Sequence, residues 1–266
     1  MSKKADKVQP QALEVIESKA ELMIRPPFGV IEEEWQEVAQ NLPFINRSNL
    51  MKIKCPSGGG LSFTINTLDG PKPATEIVGT VVGIRPYRAH WIEKESKENL
   101  PPNCSSQDAQ NGIFDSAAYR GIAEPTGNCS NCPYSAYSKD EGRVPCKKYN
   151  DIFILQEDQM LPIILRAAPT SDSVIGDYMF QLTQAKTGFQ NMLTRFTLKE
   201  AVSKQSGKKY SVMVLSRARS LNPEERIFIA QYKGKAAALI AQPIETVDIE
   251  AHAIDIPAHV EAPGDF

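Results

Sequence analysis

From Leu50 onward the apolar residues of this chain fall largely at every second position, the spacing of strands with one buried face. Met51, Ile53 and Cys55 alternate with polar residues, a turn of Pro56, Ser57 and three glycines follows, and Leu61, Phe63 and Ile65 alternate again. This pattern predicts a hairpin, with Cys55 a small buried apolar residue of its first strand. A longer strand is expected from Ile77 to about Ile92. One of its faces takes Val78, Thr80, Val82 and Ile84, which suits a core; the other takes Gly79, Val81, Gly83, Arg85, Tyr87, Ala89 and Trp91, with Pro86 bending the strand. Glycines that admit a ligand backbone, followed by a cation and aromatics, make a stacking platform for bases. The alternative is that Tyr87 and Trp91 cover a second small core.

Strands resume at Ile152–Leu155 and Leu161–Ala168, and the spacing of Val174, Ile175, Tyr178, Met179 and Leu182 predicts an amphipathic helix between Asp172 and Lys186. Two long strands, Met192–Val202 and Tyr210–Leu215, flank a cationic turn containing Lys204, Lys208 and Lys209. Asn222, Pro223 and Glu225 then supply an N-cap, a first-turn proline and a capping-box acid for a helix to about Ile240. The reading is a mainly β, α+β fold with two helices. Residues 1–49 form an N-terminal arm with a short acidic helix at 31–40, residues 50–242 the folded domain, and residues 243–266 a disordered tail.

Charge changes this picture more than overall composition does. The 266 residues are 41% apolar and 8% aromatic, enough for a core, and carry a net charge of −2. Residues 143–240 hold 15 basic and 8 acidic side chains, whereas residues 241–266 hold 6 acids and no Lys or Arg. A basic body with an acidic tail fits a polyanion-binding protein whose tail competes for the same surface or recruits partners; the plainer alternative is a solvated face and an inert end. No apolar run approaches a bilayer span, and the start, MSKKADKVQPQAL, lacks the apolar core of a secretory signal. A cytoplasmic protein without membrane contact is expected, in a compartment where clustered cysteines favour metal over disulfide.

Residues 96–150 are rich in Asn, Ser, Pro and Gly and contain four of the five cysteines. Cys104, Cys129, Cys132 and Cys146 are spaced C-x24-C-x2-C-x13-C. Two residues between cysteines let both thiolates converge on one ion from a tight turn, and two further sulfurs complete a tetrahedron around a single structural zinc. Gly127, Asn128, Asn131 and Pro133 supply turn residues around the central pair. His90 in place of one cysteine, Asp108 near the ion, or an iron–sulfur cluster are the alternatives; four thiolates are the simpler solution. Metal would supply the stability that this core-poor segment, about 98–150, lacks. With every position filled by protein the ion would be structural rather than hydrolytic.

There are three histidines, two of them (His252 and His259) in the tail, and no phosphate-binding glycine loop, nucleophile elbow or metalloprotease helix. Asp151, Glu157 and Asp158 have no spacing that nominates a metal-dependent nuclease. The chain is therefore expected to bind rather than catalyse.

The order of these features, together with Asn103-Cys104-Ser105-Ser106, Gly127-Asn128-Cys129-Ser130-Asn131-Cys132-Pro133 and Cys146-Lys147-Lys148, resembles zinc-containing single-stranded DNA-binding proteins of phages and mobile elements. The resemblance implies an OB-like barrel with a zinc-ribbon insertion, in a bacterial host cell. It implies sequence-nonspecific binding of single-stranded DNA, with RNA as the alternative, in replication, recombination or repair. The terminal Gly264-Asp265-Phe266 also looks like the tip that replication and recombination proteins grasp in bacterial single-stranded DNA-binding proteins, although the acids here are spread along the tail. Phosphate contacts are expected from Arg85, Arg88, Lys147, Lys148, Arg166, Arg195, Lys199, Lys204, Lys208, Lys209, Arg217 and Arg219. Stacking is expected from Tyr87, Trp91, Tyr134, Tyr137 and Phe153, and partner binding from Asp265 and Phe266. A zinc-ribbon adaptor or transcription accessory factor, with an ordinary basic surface, is the rival reading.

Overall fold

A computed structural model describes residues 36–37, 40–56, 58–67, 69–92, 101–139, 142–157, 159–203 and 207–244. The fold is mixed α/β and mainly β. Ten strands are named in chain order: β1 (Lys52–Lys54), β2 (Phe63–Thr67), β3 (Gly70–Ala74), β4 (Glu76–His90), β5 (Cys104–Ser106), β6 (Gly112–Phe114), β7 (Lys147–Leu155), β8 (Ile163–Ala167), β9 (Met192–Val202) and β10 (Lys209–Ser220). Two α-helices lie wholly within the described residues, α1 (Asp172–Gln184) and α2 (Pro223–Ala241), and Gln36, Glu37, Gln40 and Asn41 are also helical.

The large sheet runs β1-β8-β7-β4-β5-β6, and β9, itself paired with β10, joins it on β4. Antiparallel ladders link β4 to β7, β7 to β8, and the first residues of β4, Glu76 to Gly79, to β9. Among the described residues no ladder joins β8 to β10; the outer edge of β8 pairs instead with β1, in parallel.

The hairpin expected from 51–65 does not form. Ile53 pairs with Leu165, more than a hundred residues away, and β2 pairs with β3 across a turn that ends at Gly70, whose φ of +103° suits glycine. The glycine-rich turn therefore carries the chain between two sheets. The expected split of β4 into a core face and a ligand face also fails, because a bulge shifts its register between Val81 and Gly83 and both faces are covered. Ile77, Val81 and Ile84 join Ile152, Ile154, Leu165, Phe196, Met213 and Ile175 of α1 in one core. Val82 joins Phe153, Leu155, Ile164 and the α2 residues Ile229, Tyr232, Ala236 and Leu239 in another. Gly79 permits this packing: a Cβ there would lie 2.6 Å from the Leu155 carbonyl oxygen.

Both helices lie where the periodicity puts them. Asn222 accepts from the Glu225 N–H at 2.8 Å and Glu225 accepts from the Asn222 N–H at 2.7 Å, a reciprocal box at the start of α2. No helix among the described residues is long and apolar enough to cross a membrane.

A candidate metal centre and its cationic surroundings

The four cysteines, separated by up to 42 positions in sequence, are buried in the chain segment that connects β4 to β7, where Cys129, Cys132 and Cys146 lie close enough to bear on Cys104. β5 begins at Cys104, which sits opposite His90 of β4 and Phe114 of β6. A bridge between Asn111 and Asn128, and hydrogen bonds from Gly112 N–H to Gly127 O and from Cys129 N–H to Gln110 O (both 2.8 Å), fold the central pair onto β6. Cys132 heads a 3-10 turn through Ser135, and the Cys146 N–H donates to Tyr134 O at 2.8 Å just before β7. Gly112 lies close to the thiols, since a Cβ there would stand 3.3 Å from the Cys104 sulfur and 3.8 Å from that of Cys129.

Burial, with the charges of Cys146, Cys132 and Cys129 adding in the same direction, pushes the Cys104 thiol up to about 12. Burial likewise raises Cys146 to about 11, opposed by the positive charge of Arg88. The thiols thus feel one another's charge, yet among the described residues no group of three or more His, Cys, Asp or Glu side chains stands in a metal-holding arrangement. Four thiols are the donor chemistry that a soft, thiophilic ion would need, but they do not stand in a coordination geometry.

His90 is buried and turned to the aromatic side of this segment. Its Nδ1 lies 2.8 Å from the Tyr119 hydroxyl, and its ring stacks on Tyr134 with centroids 4.3 Å apart. Asp108 accepts from Ser106 Oγ, the Asn111 side chain and the Gln110 and Asn111 N–H groups, which hold its carboxyl well below the usual range. Both carboxylate oxygens are committed to the loop.

The expected stacking platform is covered. Tyr87 is 1% exposed, stacked on Tyr149 at 5.1 Å and lying under the Arg166 guanidinium. With Ala89 and Trp91 it packs on Ile244, the second small core that was the alternative reading. Phe153 lies in the core beneath α2. Gln107 clamps Ile244 on both sides, donating to its carbonyl at 2.9 Å and accepting from its N–H at 2.8 Å. Of the proposed stacking residues, Tyr134 is half-buried, its hydroxyl donating to Ala123 O, and Tyr137 is exposed.

Several expected phosphate ligands have structural partners. Arg85 donates to the carbonyls of Ile240 and Gln242 at the end of α2. Arg166 forms two bonds to the fully buried Asp151, at 2.9 and 3.1 Å, and Arg47 supplies a second cation to that carboxylate. Nothing in the sequence around Arg47 marks it for this role. Lys148 pairs with Asp172 at 2.9 Å, and Arg219 with Glu157 and Glu225. Lys147 is half-buried. The β9–β10 arm is more open: Lys199, Lys208 and Arg217 are exposed, as are Arg195 and Lys209, each in a surface pair with Glu76 and Glu200 respectively. Lys204, Asp265 and Phe266 lie outside the described residues.

No protein-family model matches the chain, and no curated protein or solved structure matches it either.

Proposed function

We propose that this chain is a sequence-nonspecific single-stranded nucleic-acid-binding protein, built on an OB-like barrel and carrying one structural zinc on Cys104, Cys129, Cys132 and Cys146. The observation that carries the reading is connectivity. β4, β7 and β8 form an antiparallel meander, α1 follows, and β9–β10 returns to the start of β4. This order supports the OB-like reading, although β1 occupies the edge of β8 and no ladder among the described residues closes a barrel. In such folds the connections after the first strand and before the last take up oligonucleotides. Here the first connection holds the cysteines and the last is the turn with Lys208 and Lys209.

On this reading the strand runs over the β9–β10 tip and the cysteine segment, since α2 and Ile244 cover the sheet face. Affinity comes from phosphate neutralisation by Lys199, Lys208, Lys209 and Arg217, with Tyr137 available to a base. Catalysis forms no part of the proposal, and replication, recombination or repair is the proposed setting. A protein–protein adaptor is the second reading, favoured by Ile113, 77% exposed on the edge strand β6.

Titration of full-length protein with labelled single-stranded DNA, duplex DNA and RNA at two salt concentrations tests the reading. Preferential, salt-sensitive single-strand binding is expected, and Lys208→Glu with Lys209→Glu should weaken it by about tenfold or more and flatten its salt dependence. No measurable binding at low salt would hand the case to the adaptor.

A further inference from the structure

The sheet face beneath the end of α2 gathers more positive than negative charge. Arg85 of β4, Asp151 of β7 and Arg166 of β8 stand opposite one another in a row across three strands, so their side chains share a face. Arg166 makes its two bonds to Asp151 there, and Arg47, 3% exposed, reaches the same carboxylate from outside the sheet. Asp108, which also acts on the charge of Arg85, has both oxygens committed to its loop. Gathering three guanidinia at one buried carboxylate is costly unless further acceptors reach them. Two positions along on the same face, Tyr87 stacks on Tyr149.

The acceptors come from the chain that leaves α2. The Gln242 side chain accepts from the Arg47 N–H at 2.7 Å, its carbonyl accepts from Arg85 and, at 3.5 Å, from an Arg47 guanidinium nitrogen, and the Ile240 carbonyl accepts from Arg85 at 3.3 Å. Pro243 is exposed, and Ile244 packs onto Tyr87 and Trp91 while Gln107 holds both of its backbone groups. All of these acceptors are neutral, and the buried Arg47 Nε has no hydrogen-bond partner. The last carbonyls of a helix carry partial negative charge, but an anionic oxygen is the stronger partner of a guanidinium. The strap thus presents carbonyl oxygens where phosphate oxygens would meet arginine, and an apolar side chain where a base would meet aromatics. Resting on the single-strand reading proposed above, we infer that residues 242–244 are an autoinhibitory strap over a further stretch of the nucleic-acid path. A backbone phosphate displaces the Gln242 carbonyl from Arg85 and Arg47, and a base displaces Ile244 from Tyr87 and Trp91. With the strap closed the strand has the β9–β10 tip and the cysteine segment; with it open the path continues over β4. Gln107, one residue past β5, is the latch.

The test uses full-length protein carrying Trp35→Phe, which leaves Trp91 as the single tryptophan, and two strap variants in that background, Gln107→Ala and Ile244→Ser. Binding of labelled oligothymidylate is followed by anisotropy at low and high salt, and the state of the face by Trp91 emission. The strand should quench Trp91 as a base replaces Ile244. A site that must first open loses apparent affinity in proportion to the fraction open, so each variant should bind up to about tenfold more tightly than its parent. The gain should persist at high salt, because stacking releases no counterions. A strap that served only as a helix cap would leave both variants less stable and binding no tighter. Should Gln107→Ala fail to fold, Ile244→Ser carries the same comparison. Binding without quenching of Trp91, or variants that bind no tighter than their parent, overturns the strap and leaves single-strand binding standing. No anisotropy change in parent or variants at low salt overturns the single-strand reading and this inference with it.

Discussion

Near its start β4 is packed from both sides. Ile77 and Val81 point into a core shared with β7, β8, β9 and α1, and Val82 into one shared with α2. At its far end the same strand carries Arg88 and His90 into a segment of another character. Among the described residues from 101 to 146 no Val, Ile, Leu, Met or Phe is buried; the buried residues are the four cysteines, Ser106, Tyr119, Pro125 and Pro145. The first region is held by apolar area removed from water. The second is held by turns such as that around Asp108 and by the His90, Tyr119 and Tyr134 rings, and on the proposed reading by zinc on the thiols. One strand thus joins two regions that should fail under different insults.

The largest effect is expected from the cysteines. Changing Cys129 and Cys132 to Ser removes half the donor set, and the free energy at stake for a structural zinc is on the order of 10 kcal/mol. Elemental analysis should give about one zinc per wild-type chain and far less per variant chain. Amide exchange should show residues 101–146 losing protection while β7 and β8 keep theirs. Fully folded wild-type protein with neither zinc nor iron would break the comparison, because the cysteine segment would then be stable without metal.

The opposite insult is Phe153→Ala. Phe153 is fully buried between the sheet and α2, with the Arg47 guanidinium 5.3 Å above its ring. Truncation should cost about 3–5 kcal/mol, read by denaturant unfolding at constant zinc, with zinc content unchanged below the transition. A loss under 1 kcal/mol would mean that α2 contributes little to the sheet core. Zinc lost in step with the sheet would show that the two regions are one cooperative unit.

These regions also differ in how much the sequence discloses. The α2 box of Asn222 and Glu225 is legible because its whole geometry spans four residues. The cysteine neighbourhood is legible because spacing and a lack of apolar residues both point to it. The sheet face is not. A bulge near Val82 reverses which side chains share a face, and periodicity carries no sign of one extra residue. Whether Tyr87 and Trp91 stack on a ligand or cover a second core stays open in the sequence until Ile244, more than 150 positions later, is laid over them. The 51–65 hairpin fails for the same reason, since the partner of β1 is remote. Local chemistry is readable from the chain, whereas coverage depends on pairing at long range.

The smallest effect concerns the C-terminal residues that follow this cover. Pro243 and Ile244 end the described chain with Ile244 clamped by Gln107, and the residues beyond carry six carboxylates, no Lys and no Arg. On the proposed reading, such a segment tethered beside a basic body would have a high local concentration and compete with phosphate for exposed cations such as Lys199, Lys208 and Arg217. Deleting residues 245–266, which leaves Ile244 on Tyr87 and Trp91, should tighten single-strand binding several-fold at low salt. The gain should vanish as salt rises, because exposed charges are screened beyond about 10 Å at 0.1 M ionic strength. Deleting residues 243–266 removes the cover as well, so any further tightening that persists at high salt would come from the bared aromatics, since stacking releases no counterions. Equal affinity of all three proteins at low salt would make the tail inert toward nucleic acid. Unchanged pull-down of replication proteins after deletion of Phe266 alone would remove its proposed docking role too.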